Sequence, residues 1–188
     1  MFEPKTLEKI VKAAVAAHPT LEERIDAVYK GLIAEYGSEV IQGRPGDDWY
    51  FNVAGTAAGA MQYLYISPSE YLIVFGTPIG TSGFSGRFHV TTDYFCMLEG
   101  QQIAFNAGDL KREEYNAGDC HVLPAGEAQM YSIPEHGFAL EYARGSVVAM
   151  LPFGAADALF STLDFQTLFL SYAKATVFMV DNLMKGHY

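Results

Sequence analysis

Apolar residues recur at helical spacing near both ends of the chain and at shorter intervals between them. Residues 6–17 carry an apolar side chain every three or four positions, which predicts an amphipathic helix. A second helix is expected to begin after Thr20, whose hydroxyl can form a reciprocal cap with Glu23, and to end near Tyr36 and Gly37. We expect these two helices to pack on a larger unit.

The C-terminal part of the chain predicts a short helix over 154–162 and a longer helix from Asp164 to Met184. The longer helix is apolar on two faces, one formed by Phe165, Leu168, Phe169, Tyr172, Met179 and Leu183, the other by Leu170, Val177, Phe178 and Met184. Such a helix has to cover both faces. The covers open to it are the rest of the domain, a partner subunit and a membrane surface.

Between the helical ends, short apolar runs alternate with clusters of Gly, Pro, Asn and Asp. About eight strands at this spacing are typical of an antiparallel barrel or sandwich. Residues 42–48 predict a linker or turn before the first strand. The sequence therefore predicts one α+β domain, with N-terminal helices over 1–41, a β unit over 49–150 and C-terminal helices over 152–188.

The run from Phe138 to Gly154 is apolar and aromatic, with a turn signal at Arg144 and Gly145, and it predicts a largely buried strand. Glu141 lies inside this run. A buried carboxylate is costly unless it is paired, protonated or hydrogen-bonded, so Glu141 is the first candidate for chemistry. A glutamate that faces outward from a strand with one wet face explains the same pattern.

Asp93 is a second acidic residue in a strand-like run. If it faced Glu141 inside a dry barrel, the two groups would share a proton, because like charges in a low dielectric cannot both ionise cheaply. A carboxyl group that stays protonated near neutral pH suits an acid that protonates an alkene. A strand end that faces water is the simpler interpretation of Asp93.

Composition narrows the function. The chain has 188 residues and a formal net charge of −10, which disfavours nucleic acid and electrostatic docking to anionic lipid. It contains 12 Tyr and 13 Phe, which suits a large apolar pocket. No signal pattern and no membrane-spanning apolar run is present, so we expect a cytoplasmic or peripherally membrane-associated protein. We expect Cys96 and Cys120 to be small buried thiols, with a disulfide only if the chain is exported.

Gly118, Pro124 and Gly126 have the spacing of the second cupin motif. Gln129 stands where that motif has a metal-ligating histidine, and His89 has Thr91 where a second histidine would fall. We therefore expect a cupin-type barrel that holds no metal. His89 and His121 are candidate pocket residues, although a hydrogen-bonded structural role is more common for a lone strand histidine.

At these residues the chain resembles, nearly end to end, the family of fungal C-8 sterol isomerases and the sigma non-opioid receptor. The matching stretches are residues 1–7, 69–77, 83–87, 93–95, 131–134, 138–141, 150–154 and 160–165. The sequences YSIP, ALE and MLPFG favour the isomerase branch over the receptor branch.

The resemblance implies a cupin-like antiparallel barrel, C-terminal helices that lie against a membrane, and a homotrimer. It implies that Glu141 is the essential pocket glutamate, which pairs with cationic amines, and that Tyr71 hydrogen-bonds to it. His121 matches a histidine of the fungal isomerases. The other ligand-binding positions expected in the pocket are Met61, Tyr63, Ile73, Phe75, His89, Tyr131 and Leu151.

The chain also departs from the family pattern. By comparison with the relatives we expect the chain to lack the anchor helix that precedes this region in them, and Ala57 replaces a receptor tryptophan. The segment from Gly86 to Gly100 is one residue longer, which leaves the match of Asp93 open. We expect a cofactor-independent isomerase that moves a sterol double bond from delta-8 to delta-7, with Glu141 and Asp93 as an acid/base pair. The alternative is a non-catalytic binding protein for sterols or cationic amphiphilic amines.

Overall fold

Antiparallel strands curve into a nearly closed barrel in the computed structural model, which describes residues 1–43, 46 and 48–188. The helices are α1 (Pro4–Ala17), α2 (Leu21–Tyr36), α3 (Val147–Phe160) and α4 (Phe165–Met184). The strands are β1 (Tyr50–Ala54), β2 (Ala57–Ile66), β3 (Glu70–Thr77), β4 (Thr81–Phe84), β5 (Thr91–Phe105), β6 (Glu113–Asn116), β7 (Cys120–Leu123), β8 (Met130–Ile133) and β9 (Gly137–Gly145). Residues 44, 45 and 47 of the predicted linker lie outside the described residues.

The strand order is β1-β2-β3-β9-β5-β8-β4, and β6 and β7 also pair with β5. The two ends of this order approach each other, because the Phe84 amide donates to the Gly55 carbonyl at 2.9 Å and the Ala58 amide donates to Thr81 Oγ1 at 2.7 Å. The predicted α+β architecture, an antiparallel barrel with N-terminal helices and two C-terminal helices, is confirmed.

Strand β9 is buried on both faces, which explains its nearly continuous apolar sequence. Leu140 and Tyr142 point outward into a core that they share with α1 and α2. Ala139 and Glu141 alternate with them and face the barrel interior. Because side chains alternate along a strand, Glu141, the one acidic residue of β9, enters the barrel.

The N-terminal helices form as the sequence predicts. α1 buries Leu7, Val11 and Ala14 on one stripe, at the helical repeat. Thr20 caps α2, since its side chain accepts a hydrogen bond from the Glu23 amide while the Glu23 carboxylate accepts from the Thr20 amide. These helices cover the outer face of β5 and β9, so the barrel has a core outside its wall as well as inside it.

The third helix begins earlier than expected. α3 starts at Val147 rather than near residue 154, so the run from Phe138 to Gly154 is a strand followed by a helix. Ser146 caps the helix by accepting a hydrogen bond from the Ala149 amide at 3.3 Å, and Pro152 lies within its second turn. The local cap outweighs the proline, whose position suggested a later start.

α4 matches its predicted range, and part of its apolar surface is not covered by the rest of the chain. Its buried residues are the small or polar Ser171, Ala175 and Asn182, whereas Phe169 is 73% exposed and Met184 is 80% exposed. Asn182 Nδ2 donates to the Ile66 carbonyl and to Gln42 Oε1, both at 2.8 Å. The helix is therefore held by these polar contacts together with Ala175, Phe178 and Met179, which pack on the barrel core, while other large apolar side chains stay exposed. Within the described residues, none of the helices has the length and hydropathy needed to cross a bilayer.

Cys96 and Cys120 form a disulfide, which corrects the expectation of free thiols. They lie directly opposite each other in the β5–β7 pair, with their Cα atoms 4.0 Å apart. Both side chains face the core outside the barrel wall. The pairing depends on strand register, which residue spacing along the chain does not reveal.

We predict that Asn182→Leu destabilises the domain by about 2 kcal/mol, because it leaves the Ile66 carbonyl and Gln42 Oε1 without their buried donor. Urea unfolding measures this loss. Thr176→Ala, at an exposed position of the same helix, is the control and should change the free energy of unfolding by less than about 0.5 kcal/mol. Equal effects of the two substitutions would contradict the role given to Asn182.

Candidate active site

Three neighbouring strands bring Tyr71, Glu141 and Asp93 onto one patch of the barrel interior. Ala143 of β9 lies opposite Tyr71 of β3 on one side and opposite Asp93 of β5 on the other. Glu141 is two residues from Ala143 on the same face, so it is the diagonal neighbour of both. The register thus settles the position of Asp93, which faces the cavity rather than water.

Small residues on β9 leave room above the carboxyl groups. Ala139 and Ala143 flank Glu141 along its own face, and neither is exposed to solvent. A larger side chain at either position would occupy the space between Tyr71 and Asp93 or below Glu141. The alternation of alanine and glutamate on one strand therefore opens a cavity at the acid.

The two carboxyl groups differ in their hydrogen bonds. The Tyr71 hydroxyl donates to Glu141 Oε1, which favours the ionised form of Glu141. Within the described part of the chain, Asp93 Oδ1 is buried and has no hydrogen-bond partner. A shared proton is therefore held better by Asp93 than by Glu141.

The pKa of both groups is raised. Burial raises the pKa of Glu141 from 4.5 to about 7, against the lowering effect of the Tyr71 hydrogen bond. Burial first, and then the charge of Glu141, raises the pKa of Asp93 well above its ordinary value, against a backbone hydrogen bond from Tyr94. Burial also raises the pKa of Tyr71 and Tyr131, which keeps both phenols neutral. Near neutral pH the pair therefore holds at least one proton.

The cavity has a volume of about 200 Å³, several times the share of one water molecule in the liquid. α3 and α4 close one side of it, with Leu151, Ser171 and Tyr172 among its lining residues. Nearly all of the predicted site residues line it: Met61, Tyr63, Tyr71, Ile73, Phe75, Asp93, His121, Tyr131, Glu141 and Leu151.

His89 does not belong to this site. Strand β5 begins at Thr91, so His89 lies in the loop before the strand and is exposed rather than directed into the barrel. The sequence suggested otherwise because the apolar run around it appeared to continue into the strand. Residues 89 and 90 instead form a turn that ends immediately before β5.

His121 lies on the cavity face opposite Phe95, two strands from Glu141. It stacks on Tyr115 with ring centroids 4.5 Å apart, and its Nε2 is 3.9 Å from a Glu113 carboxylate oxygen. Burial lowers the pKa of His121, so the imidazole is neutral at pH 7. Among residues 1–43, 46 and 48–188, no three His, Cys, Asp or Glu side chains converge as metal ligands would.

The structure also adds cavity residues that the sequence did not indicate. Phe95 lies directly opposite Glu141, and Gln102 lines the cavity from the far half of β5. Gln129, noted only as a replacement for a metal ligand, lines it as well. Phe95 and Gln102 are each adjacent to a residue of the opposite face, Cys96 and Gln101, so the sequence shows that the neighbours point to different sides of β5. Only the register of β5 shows which side faces the cavity.

The family model described as "ERG2 and Sigma1 receptor like protein" matches residues 1–187. The chain belongs to this family. C-8 sterol isomerase ERG2 of Gibberella zeae is 43% identical over 189 residues, which are 99% of this chain and 78% of that protein. The C-8 sterol isomerase of Mycosarcoma maydis is 43% identical over 194 residues, covering 100% of this chain and 80% of that protein.

A receptor of the ERG2 and Sigma1 receptor family is also similar. Sigma non-opioid intracellular receptor 1 of Gallus gallus is 40% identical over 121 residues, 64% of this chain and 54% of the receptor. The resemblance predicted from the sequence is confirmed. Among solved structures, KdgF from Halomonas sp. is 12% identical with a TM-score of 0.45, covering 56% of this chain and 94% of that one.

We predict that the carboxyl pair makes stability fall as pH rises. The folded state holds a proton that the unfolded state releases near the ordinary carboxyl pKa, so the unfolded state binds fewer protons between about pH 5 and 7. For Glu141 alone, the shift from 4.5 to about 7 corresponds to about 3 kcal/mol. Glu141→Gln should flatten the slope of unfolding free energy against pH, as measured by urea titrations.

Glu127→Gln is the matched control, since Glu127 is exposed outside the cavity. This variant should keep the wild-type slope. A Glu141→Gln slope equal to that of the wild type would show that the folded-state pKa of Glu141 is not raised.

Proposed function

We propose that this chain is a sterol isomerase that moves a ring double bond from the delta-8 to the delta-7 position. The observation that carries this is a carboxyl pair that shares a proton inside an apolar cavity, in a chain that matches C-8 sterol isomerases over nearly its full length. The reaction is redox-neutral and leaves the atom count unchanged. Proton transfer is therefore the only chemistry it requires, and the function belongs to sterol biosynthesis.

In the first step Asp93 acts as the acid. Its carboxyl group, whose Oδ1 has no hydrogen-bond partner among the described residues, holds the shared proton and gives it to the alkene carbon at position 9. The electron pair of the double bond forms the new C–H bond and leaves a carbocation at carbon 8. The neighbouring Glu141 carboxylate, held by Tyr71, stabilises that positive charge, and the low dielectric of the cavity strengthens the attraction.

In the second step Glu141 acts as the base. It removes a proton from carbon 7, and the electrons of that C–H bond form the delta-7 double bond. One proton has left Asp93 and one has reached Glu141, so a single transfer between these diagonal neighbours restores the starting state. The coupled pair thus begins and ends each reaction cycle with one bound proton.

Aromatic rings surround the site of the cation. Phe95 lies opposite Glu141 and packs edge-on against Phe75, with ring centroids 6.1 Å apart. Tyr63 is buried in the same cluster. Ring faces attract cations, and apolar walls keep out the water that would capture one.

We predict that Glu141→Gln lowers turnover of a delta-8 sterol by a factor of about 10² to 10⁴, because glutamine cannot accept the proton. The rate is measured by separating the delta-7 product from the delta-8 substrate by chromatography and quantifying each by mass spectrometry. Asp93→Asn should have a similar effect. Neutral sterol should still bind, since the apolar wall is unchanged.

Glu127→Gln and the wild type should form product at the same rate. Full activity of Glu141→Gln with an intact fold would exclude it as the base. Full activity of Asp93→Asn would exclude Asp93 as the acid and leave the reaction to Glu141 alone.

The alternative function is binding without turnover, which the similarity to the sigma receptor favours. The Tyr71–Glu141 pair is sufficient to hold a cationic amine, whereas catalysis also needs Asp93. Tight binding of a cationic amphiphilic amine by a protein that forms no product would identify a binding protein. Product formation that such an amine inhibits would identify the isomerase, because the amine imitates the carbocation.

We also propose that α3 and α4 contact a membrane surface. Phe160 on α3 is 85% exposed and Phe169 on α4 is 73% exposed. Further exposed apolar side chains lie on these two helices and in the residues that join them: Val148, Leu159, Leu163, Phe165, Leu170, Val177, Val180, Leu183 and Met184. A hydrophobic substrate dissolved in lipid would reach the cavity from this side, because α3 and α4 line it. The homotrimer implied by the resemblance stays a prediction.

We predict that the wild type co-sediments with zwitterionic phosphatidylcholine vesicles and that Phe169→Glu weakens this binding at least fivefold, because it places a charge in the contact face. The control is Leu110→Glu, which changes a fully exposed leucine in the loop between β5 and β6. Equal binding by both variants, or none by the wild type, would contradict the proposed membrane contact.

A further inference from the structure

A cluster of three polar side chains lies in the cavity, away from the carboxyl pair. Its members are Gln102 of β5, His121 of β7 and Gln129, which immediately precedes β8. All three are more than nine-tenths buried, with exposures of 4%, 6% and 6%. The mechanism proposed above does not use them.

The orientation of Gln129 follows from its surroundings. Its Nε2 donates to a Glu113 carboxylate oxygen at 3.2 Å, and a carboxylate accepts only from the nitrogen of an amide. Glu113 also accepts from the Tyr115 hydroxyl at 2.9 Å. These bonds fix the amide, so its carbonyl oxygen is the atom left over.

Two carbonyl oxygens of this group lack a partner. Gln129 Oε1 and Gln102 Oε1 are buried and accept no hydrogen bond from the described residues. A buried polar atom without a partner costs about 1–3 kcal/mol, and native proteins rarely keep one without a reason. Two such acceptors in one ligand cavity are a site for a hydrogen-bond donor. The donor that the protein itself places nearby is the His121 imidazole, whose contact with the Gln129 side chain raises the His121 pKa against the larger effect of burial.

We propose that Gln102 and Gln129 accept a hydrogen bond from the hydroxyl group of the sterol and so orient the ring system. This inference rests on the proposed isomerase function and identifies which part of the substrate binds where. The site selects a donor, because both free atoms are acceptors. A free alcohol satisfies it, whereas a sterol without the hydroxyl does not.

The strand register gives the separation between Glu141 and His121, the member of the polar cluster that lies in the same row of the sheet. Glu141, Phe95 and His121 form a row across β9, β5 and β7. Two strand spacings place the Glu141 and His121 backbones about 10 Å apart, and inward-pointing side chains shorten the gap. A sterol carries its hydroxyl on ring A and its delta-8 double bond between rings B and C, so a molecule whose double bond lies at Glu141 can extend ring A toward the His121 side of the cavity.

Gln129 is supported from several sides, which suits a positioning role. Its backbone amide donates to Ser85 Oγ at 3.0 Å, and its carbonyl accepts from the Ser85 amide at 3.0 Å. His121 stacks on Tyr115, which lies directly opposite Gln102 in the β5–β6 pair. The Gln129 acceptor is therefore held before substrate binds, and hydroxyl binding to it costs little ordering.

The test compares two ligands, a delta-8 sterol with its 3-hydroxyl and the same sterol without it. Equilibrium dialysis from cyclodextrin gives the dissociation constant of each, and dividing the deoxy value by the hydroxy value gives a preference ratio. We expect Gln102→Met and Gln129→Met each to lower this ratio about tenfold relative to the wild type. Affinity for the deoxy sterol should change less than about twofold in both variants.

Gln101→Met is the matched control, because Gln101 is adjacent in sequence and bonds outside the cavity, to Asn116 at 3.1 Å. It should keep the wild-type ratio. Thermal melting checks that each variant is folded. An unchanged ratio in both Gln102→Met and Gln129→Met overturns the assignment.

Binding and turnover separate the two proposals. A lowered ratio in a protein that forms no delta-7 product supports the hydroxyl site and rejects the isomerase. Product formation with an unchanged ratio supports the isomerase and rejects the hydroxyl site.

Discussion

Burial of two carboxyl groups in one apolar cavity is the constraint on which the rest of this structure depends. Removing a carboxylate from water costs several kcal/mol, and a second one nearby raises the cost again. Here the cost is held down because Tyr71 hydrogen-bonds Glu141 and because Asp93 can keep a proton. The remainder is offset by apolar packing on both sides of the barrel wall. The proton that makes burial tolerable is also the proton that the chemistry needs.

Two Glu–Tyr dipeptides show how the wall divides this task. Glu70–Tyr71 lies on β3 and Glu141–Tyr142 on β9, and the strands pair so that the partners cross. Inside the barrel Tyr71 donates to Glu141; outside it Tyr142 donates to Glu70 at 2.9 Å. Glu70 also accepts from the Phe2 amide at 3.2 Å, which ties the N-terminal helices to the same strands. The same Glu–Tyr pairing therefore forms part of the candidate site on the inner face of the barrel wall and binds the N-terminal segment on the outer face.

The C-terminal helices combine closure of the cavity with an apolar outer surface. α4 is seated through Asn182 and through the Tyr172 hydroxyl, which donates to the Leu151 carbonyl of α3 at 2.8 Å. Polar anchors of this kind leave the large apolar side chains free to face outward. A cover built this way suits a protein whose ligand dissolves in lipid, since the helices that line the cavity also carry the apolar face.

Much of the local structure follows from the sequence alone. The periodicity of α1, α2 and α4, the Thr20 cap and the apolar strands are determined by neighbours a few residues apart, and the long family motifs single out Glu141 and Tyr71. Tertiary structure decided whatever depends on register or on packing. It placed Asp93 beside Glu141, paired Cys96 with Cys120, removed His89 from the site and left Phe169 and Met184 of α4 exposed. The reason is physical: local pattern sets which face of an element is apolar, whereas strand pairing and helix docking set what that face meets.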